Sequence, residues 1–204
     1  MKIINIPSGP LMVNSYIAWD EKSGDGFIVD PGGFNPRMEE TINKEKINLK
    51  YVILTHGHGD HIGGVNIISE KYDAKIVAAE AEAPMLKDPR ANMSADFGTP
   101  VSIVADISVK DGDTLDVGNM RLEFIMTPGH SPGGMCIRIG TVLFSGDTLF
   151  QASVGRTDFA GGSMPLLIKS IKEKLFVLPD DTRVFPGHMG ATTIGFEKEN
   201  NPFV

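Results

Sequence analysis

Short apolar runs alternate along this chain with turns rich in Gly, Asp and Pro, and their periods predict a mixture of strands and helices. Lys2–Ile6, Ser15–Trp19 and Gly26–Val29 read as short strands, with a turn at Glu21-Lys-Ser-Gly-Asp-Gly26. Asn35-Pro36 supplies a cap and a first-turn proline for a helix over Pro36–Lys46. Tyr51–Leu54 is an apolar, β-branched run expected as a buried strand. Ile62, Val65, Ile68 and Tyr72 then recur at helical spacing. A strand follows at Lys75–Ala79, a brief helix at Glu80–Leu86, and an irregular loop over Lys87–Pro100, expected at the mouth of a site. From Ser102 to Ile139 strands alternate with turns, and Thr141–Phe144 is a further strand. Leu167, Ile168, Ile171, Leu175 and Leu178 make Met164–Leu178 an amphipathic helix, before a last strand at Arg183–Phe185 and a last helix at Thr192–Asn200.

That order, strands then helix twice over, predicts a mixed α/β chain. Helices kept outside two sheets would make a four-layer αββα sandwich. At 204 residues the length suits a single domain spanning 1–204. Hydrophobic content of 41% and charged content of 22% are those of an ordinary globular protein. The net charge of −7, with 19 Lys and Arg scattered along the chain, argues against a nucleic-acid partner. Lys169–Lys174, where lysines alternate with apolar residues, reads as a solvated helix face. The single cysteine, Cys136, cannot form an internal disulfide, and its alternating strand context points to the core rather than to nucleophilic chemistry. Met1–Pro7 lacks the apolar run of a signal peptide, and no stretch reaches the roughly 18–20 apolar residues of a membrane span. A cytoplasmic location without membrane attachment is expected.

The chemistry concentrates in His56-Gly-His-Gly-Asp-His61, which places three imidazoles and a carboxylate within six residues between a predicted strand and a predicted helix. Neutral imidazole and carboxylate are the donors that borderline divalent metals prefer. As hydrogen-bonded filler, each ring would need its own partner within one short loop. The remaining histidines fall in two similar places. His130 lies in Thr127-Pro-Gly-His-Ser-Pro-Gly-Gly134 after the strand Leu122–Ile125, and His188 in Phe185-Pro-Gly-His-Met-Gly190 after Arg183–Phe185. Ser145-Gly-Asp147 adds a carboxylate after Val142–Phe144. All five histidines thus occupy strand-end loops, where α/β architectures build ligand sites.

The HxHxDH run together with Thr-Pro-Gly-His130, Ser-Gly-Asp147 and Pro-Gly-His188 resembles the metallo-β-lactamase superfamily over nearly the whole chain. Asp30-Pro-Gly-Gly33, Gly155-Arg-Thr-Asp-Phe159 and the tail Thr193-Ile-Gly-Phe-Glu-Lys-Glu-Asn-Asn-Pro-Phe203 carry the further likeness to its glyoxalase II-like branch. The resemblance implies two divalent ions. His56, His58 and His130 would hold one, Asp60, His61 and His188 the other, and Asp147 would bridge them. Seven ligands exceed what one tetrahedral zinc uses, but suit two ions sharing a carboxylate and a hydroxide. Zinc is the expected metal, with iron and manganese compatible with the same donors. Asp60 would also orient the nucleophile, and Asp30 would accept from a ligand imidazole as an outer partner.

The likeness favours thioester hydrolysis of the hydroxyacylglutathione type, in which a bridging hydroxide attacks the carbonyl. A thiolate leaving group needs no general acid, and no histidine is left over to act as one. With only about one helix after His188 in this sequence, no counterpart of the glutathione-gripping helical region of that branch is expected. Arg156 and Lys198 are the cations expected to meet a substrate carboxylate; an Arg156–Asp158 ion pair is the competing expectation. The alternatives are a single-iron persulfide dioxygenase of the same fold and a lactonase or other ester hydrolase. A β-lactamase proper is disfavoured, because several classes carry Cys where Asp147 stands and a periplasmic enzyme needs a signal peptide. A metal-carrying redox module would need a flavin domain.

Overall fold

A computed structural model describes residues 1–204. The first sheet is built from β1 (Lys2–Ser8), β2 (Val13–Trp19), β3 (Asp25–Val29), β4 (Asn48–Ile53), β5 (Lys75–Ala79) and β6 (Ile107–Val109), adjacent in chain order. β1, β2 and β3 pair antiparallel, and β3 to β6 run parallel. The second sheet contains β7 (Thr114–Val117), β8 (Met120–Met126), β9 (Met135–Ile139), β10 (Val142–Gly146), β13 (Arg183–Pro186) and β14 (Thr192–Thr193), in the spatial order 14-13-10-9-8-7. Between β10 and β13 the chain makes a small hairpin, β11 (Leu149–Phe150) and β12 (Ser153–Val154).

Alternation along each strand sets the layers, because successive side chains leave opposite faces of the sheet. Tyr16, Phe27, Val29, Ile53 and Val77 of the first sheet meet Leu122, Phe124, Ile137 and Phe144 of the second in the central core. Their neighbours Ile17, Ile28 and Val52 point the other way, against Met38 and Ile42 of α1 (Pro36–Glu45) and Ile68 of α3 (Val65–Tyr72). On the far side, Cys136, Leu143 and Val184 pack on Leu167 of α5 (Met164–Ser170), on Ile171 and Leu175 just beyond it, and on Ile194 of α6 (Ile194–Asn200). The order is therefore helices, sheet, sheet, helices. Strands buried on both faces read as continuous apolar runs, which is why their positions were legible and their inward faces were not.

Three predicted helices are divided. The segment Ile62–Tyr72 becomes α2 (Gly59–Ile62) and α3, broken at Gly63-Gly64. A Cβ at Gly64 would sit 2.7 Å from the Gly33 backbone carbon, so this is where two strand-end loops touch and no side chain fits. Met164–Leu178 is α-helical to Ser170 and continues as a wider π-type turn over Ile171–Leu175. The expected brief helix at Glu80–Leu86 is a 3₁₀ turn, Glu80–Glu82, followed by α4 (Ala83–Lys87). Cys136 is buried, with its thiol pushed up to about 11 by burial, so it is core, as its strand pattern implied. No helix is long and apolar enough to cross a membrane.

Candidate metal centre

Parallel pairing brings the site together. β3 and β4 run side by side and end at Asp30 and at the loop Thr55–Gly59, while β10 and β13 run side by side and end at Asp147 and His188. The loop after β8 carries His130. Packing the two sheets face to face therefore gathers these loops on one edge. A main-chain bond from Met135 N–H to Thr55 C=O, 2.9 Å, stitches the sheets together there.

Two triads result. His56, His58 and His130 form one: the His130 Nε2 lies 3.1 Å from His56 Nε2 and 2.8 Å from His58 Nδ1. Asp60, His61 and His188 form the other, with Asp60 Oδ2 3.2 Å from His188 Nε2 and 3.5 Å from His61 Nε2. Asp147 stands between them. Its Oδ2 is 3.6 Å from His130 Nε2 and 3.7 Å from His188 Nε2, and its Oδ1 is 3.4 Å from His61 Nε2. All of these side chains are buried or nearly so; His188, 26% exposed, is the most open.

Hydrogen bonds at the rear of the rings fix which nitrogen faces inward. His130 Nδ1–H donates to the Arg156 carbonyl at 2.6 Å. His61 Nδ1–H donates to Asp30 Oδ2 at 3.0 Å. His56 Nδ1–H donates to the Thr55 hydroxyl at 3.1 Å, and that hydroxyl in turn donates to Asp30 Oδ2 at 2.6 Å. Asp30 also accepts the Thr55 N–H at 2.8 Å, so one carboxylate orients both His56 and His61. Asp30 adopts a left-handed φ of 48°, unusual for a residue other than glycine and here held by those three contacts. These three rings thus turn Nε2 inward, the orientation a metal ligand needs.

The electrostatics agree with that division. Burial, reinforced by His130 and His61, pushes His58 down to about 3, and burial likewise depresses His56 and His130. These three rings are neutral donors at pH 7. Burial would also depress His61, but the Asp147 and Asp60 carboxylates outweigh it and raise that ring. The same pairing holds Asp60 and Asp147 below the usual carboxylate range despite the burial that opposes it. His61 Nε2 and Asp147 Oδ1 are buried without any hydrogen-bond partner. Orphaned buried polar atoms are rare in folded proteins. A donor set of five imidazoles and two carboxylates, with two orphaned atoms aimed at each other, fits divalent cations.

The centre opens into a cleft of about 330 Å³ lined by Leu11, Met93, Phe97, Phe150 and Phe159 together with Asp96 and Arg156. Met93, Asp96 and Phe97 come from Lys87–Pro100, the stretch expected at the mouth. Phe159 sets its ring edge-on to His58, 5.1 Å between centroids. Arg156 lies over Phe159 at 4.5 Å, paired with Asp158 through two bonds of 2.9 and 2.7 Å, as the competing expectation had it. Lys198 does not reach the cleft. Its ammonium is bound to Asp180 at 2.6 Å and to the Leu178 carbonyl at 3.3 Å on α6, because the last helix packs behind the second sheet. Lys198→Ala should therefore leave kcat/KM within about twofold of wild type, the range of a surface change away from a site. Steady-state kinetics checks this. Thr55, which links Asp30 to His56, had no sequence signal of its own and reads as a strand end.

An αββα sandwich with a two-triad His/Asp centre at the edge of its sheets is the architecture of a metal-dependent enzyme. The chain belongs to the metallo-beta-lactamase superfamily, whose family model matches residues 8–188. The superfamily's members are typically hydrolases. The hydroxyacylglutathione hydrolase GloC of Haemophilus influenzae is 35% identical over 210 residues, covering 100% of this chain and 98% of the relative. Among solved structures, the BLEG-1 B3 metallo-beta-lactamase superposes with a TM-score of 0.92 at 36% identity, covering 99% of each chain. TTHA1623 in a di-iron-bound form superposes with a TM-score of 0.87 at 30% identity, covering 98% of this chain and all of that one.

Proposed function

We propose that this chain is a thioester hydrolase of the hydroxyacylglutathione type, working in the cytoplasm on a small acylated thiol with two divalent ions, zinc in the first instance. The observation that carries the reading is Asp147, whose carboxylate reaches a histidine of each triad. His56, His58 and His130 would hold one ion, Asp60, His61 and His188 the other, with Asp147 shared. Bound there, such ions acidify water from a pKa of 15.7 toward 7 and polarise a carbonyl oxygen. The chain's own residues do the rest. Asp60 Oδ2, kept an acceptor at neutral pH, orients the attacking water by accepting one of its hydrogens. Leu11, Phe97, Phe150 and Phe159 cover the cleft and limit bulk water at the carbonyl. Arg156 at the rim would meet a carboxylate on the substrate. The thiol leaves as thiolate, so no residue has to donate a proton to it.

Full-length likeness to the Haemophilus relative supports the thioester. Assembly of the second triad, including the unpartnered His61 Nε2, favours two ions over the single iron of a persulfide dioxygenase. The likeness to BLEG-1 makes β-lactam hydrolysis the second reading. Elemental analysis beside turnover of S-lactoylglutathione, other thioesters, lactones, a β-lactam and glutathione persulfide tests all of these. Two ions per chain with thioesters turned over fastest is the expected result. One iron with oxygen uptake on the persulfide, or β-lactams preferred to every thioester, would overturn it.

A further inference from the structure

Glu82 is 1% exposed at the end of the 3₁₀ turn that follows β5. Burying a carboxylate is costly unless donors meet it, and here three do. Oε2 accepts the Gly57 N–H at 2.8 Å; Oε1 accepts the Ser131 hydroxyl at 2.7 Å and the Gly133 N–H at 2.6 Å. Gly57 lies between His56 and His58, and Ser131 and Gly133 follow His130. One side chain therefore grips both loops that supply the first triad, beside its ligands, and makes no hydrogen bond to Asp60, His61 or His188. Both loops lie close against the turn: a Cβ at Gly57 would stand 2.9 Å from Glu82 Oε2, and one at Gly133 would stand 2.8 Å from the Glu82 nitrogen.

We propose that Glu82 is the positioning residue of the first triad, setting the separation of His56 and His58 from His130 and thereby the ion affinity of that triad alone. This rests on the reading of those three histidines as one ion's ligands. The loops have other ties, the Met135–Thr55 main-chain bond among them, so the fold does not depend on Glu82 by itself. Glutamine in its place has one acceptor oxygen for two opposed sets of donors. Its amide N–H₂ must then face either Gly57 N–H or Gly133 N–H, donor against donor. Ser131→Ala is the milder variant, since it removes one donor and leaves both main-chain bonds.

The test loads wild type, Glu82→Gln and Ser131→Ala with Zn²⁺, strips the ions with a graded chelator, and follows zinc per chain and the Tm of the ion-free forms. In Glu82→Gln one ion should bind about 10–100-fold more weakly, the range for losing a partner that orients a ligand. The other ion should be unchanged, and Ser131→Ala should weaken the same ion less. Repeating the comparison in a His188→Ala background, where the second triad is broken, should show the weakening in the ion that remains. A wild type that takes up no zinc overturns the metal reading itself. A wild type that loads normally, beside a Glu82→Gln chain whose two ions weaken equally or not at all, overturns the positioning role. So does an affinity loss that merely tracks a fall in ion-free Tm.

Discussion

His58→Ala is expected to cut kcat/KM on the order of 10³-fold, about 4 kcal/mol of transition-state stabilisation, while the chain still folds. His58 is not part of the apolar core; it contributes Nδ1 to a point shared with His130 and His56, so its loss empties the first triad of a donor and leaves the sheets intact. Zinc per chain should fall from two toward one. The same change should alter the acid stability of the ion-free protein in a defined direction. His58 is pushed down to about 3 in the folded chain from an ordinary 6.5. The unfolded chain therefore binds the extra proton, and folding loses stability as pH falls from 6.5 toward 3. Removing the ring removes that liability, so ion-free His58→Ala should unfold at lower pH than ion-free wild type. Acid titration followed by circular dichroism reads this; an unchanged midpoint together with undiminished turnover would remove His58 from the site.

Asp147→Ala should weaken both ions together, beyond the roughly 10–100-fold that follows loss of a residue that only orients a ligand. The reason is geometric: the carboxylate approaches His130 on one side and His61 and His188 on the other. Charge adds to it, since Asp147 and Asp60 are the two carboxylates among the seven donors and offset the charge of bound cations. Without Asp147, His61 loses its larger anionic partner and its orphaned Nε2 faces only Asp60. Competition with a chromophoric chelator measures the two affinities. Retention of two tightly bound ions would show that Asp147 is not shared.

Thr55 passes the hold of Asp30 on to His56 while Asp30 holds His61 directly, so one aspartate sets a ring in each triad. Glu82 performs the corresponding task between His56–His58 and His130. Such carboxylates are acceptable in the interior because every oxygen is met by a donor.

The sequence by itself determined most strands, most helices and all seven candidate donors, but not the short hairpin β11–β12 or the edge strand β14, which lies inside the predicted helix Thr192–Asn200. Strands buried on both faces must be apolar runs, caps and prolines mark helix starts, and histidines confined to strand-end loops announce a ligand site before any contact is known. It also placed Asp30 at a strand end and Lys87–Pro100 at the mouth. What the chain's pattern could not set was which loops meet. That depends on the parallel pairing of β3 with β4 and of β10 with β13, and on the face-to-face packing of the two sheets, all interactions between residues far apart in sequence. Hence Lys198, equal to Arg156 as a candidate cation, is carried behind the second sheet to Asp180, while Glu82, unremarkable in its own segment, becomes the link between two loops. Local chemistry chose the donors; long-range packing decided their company.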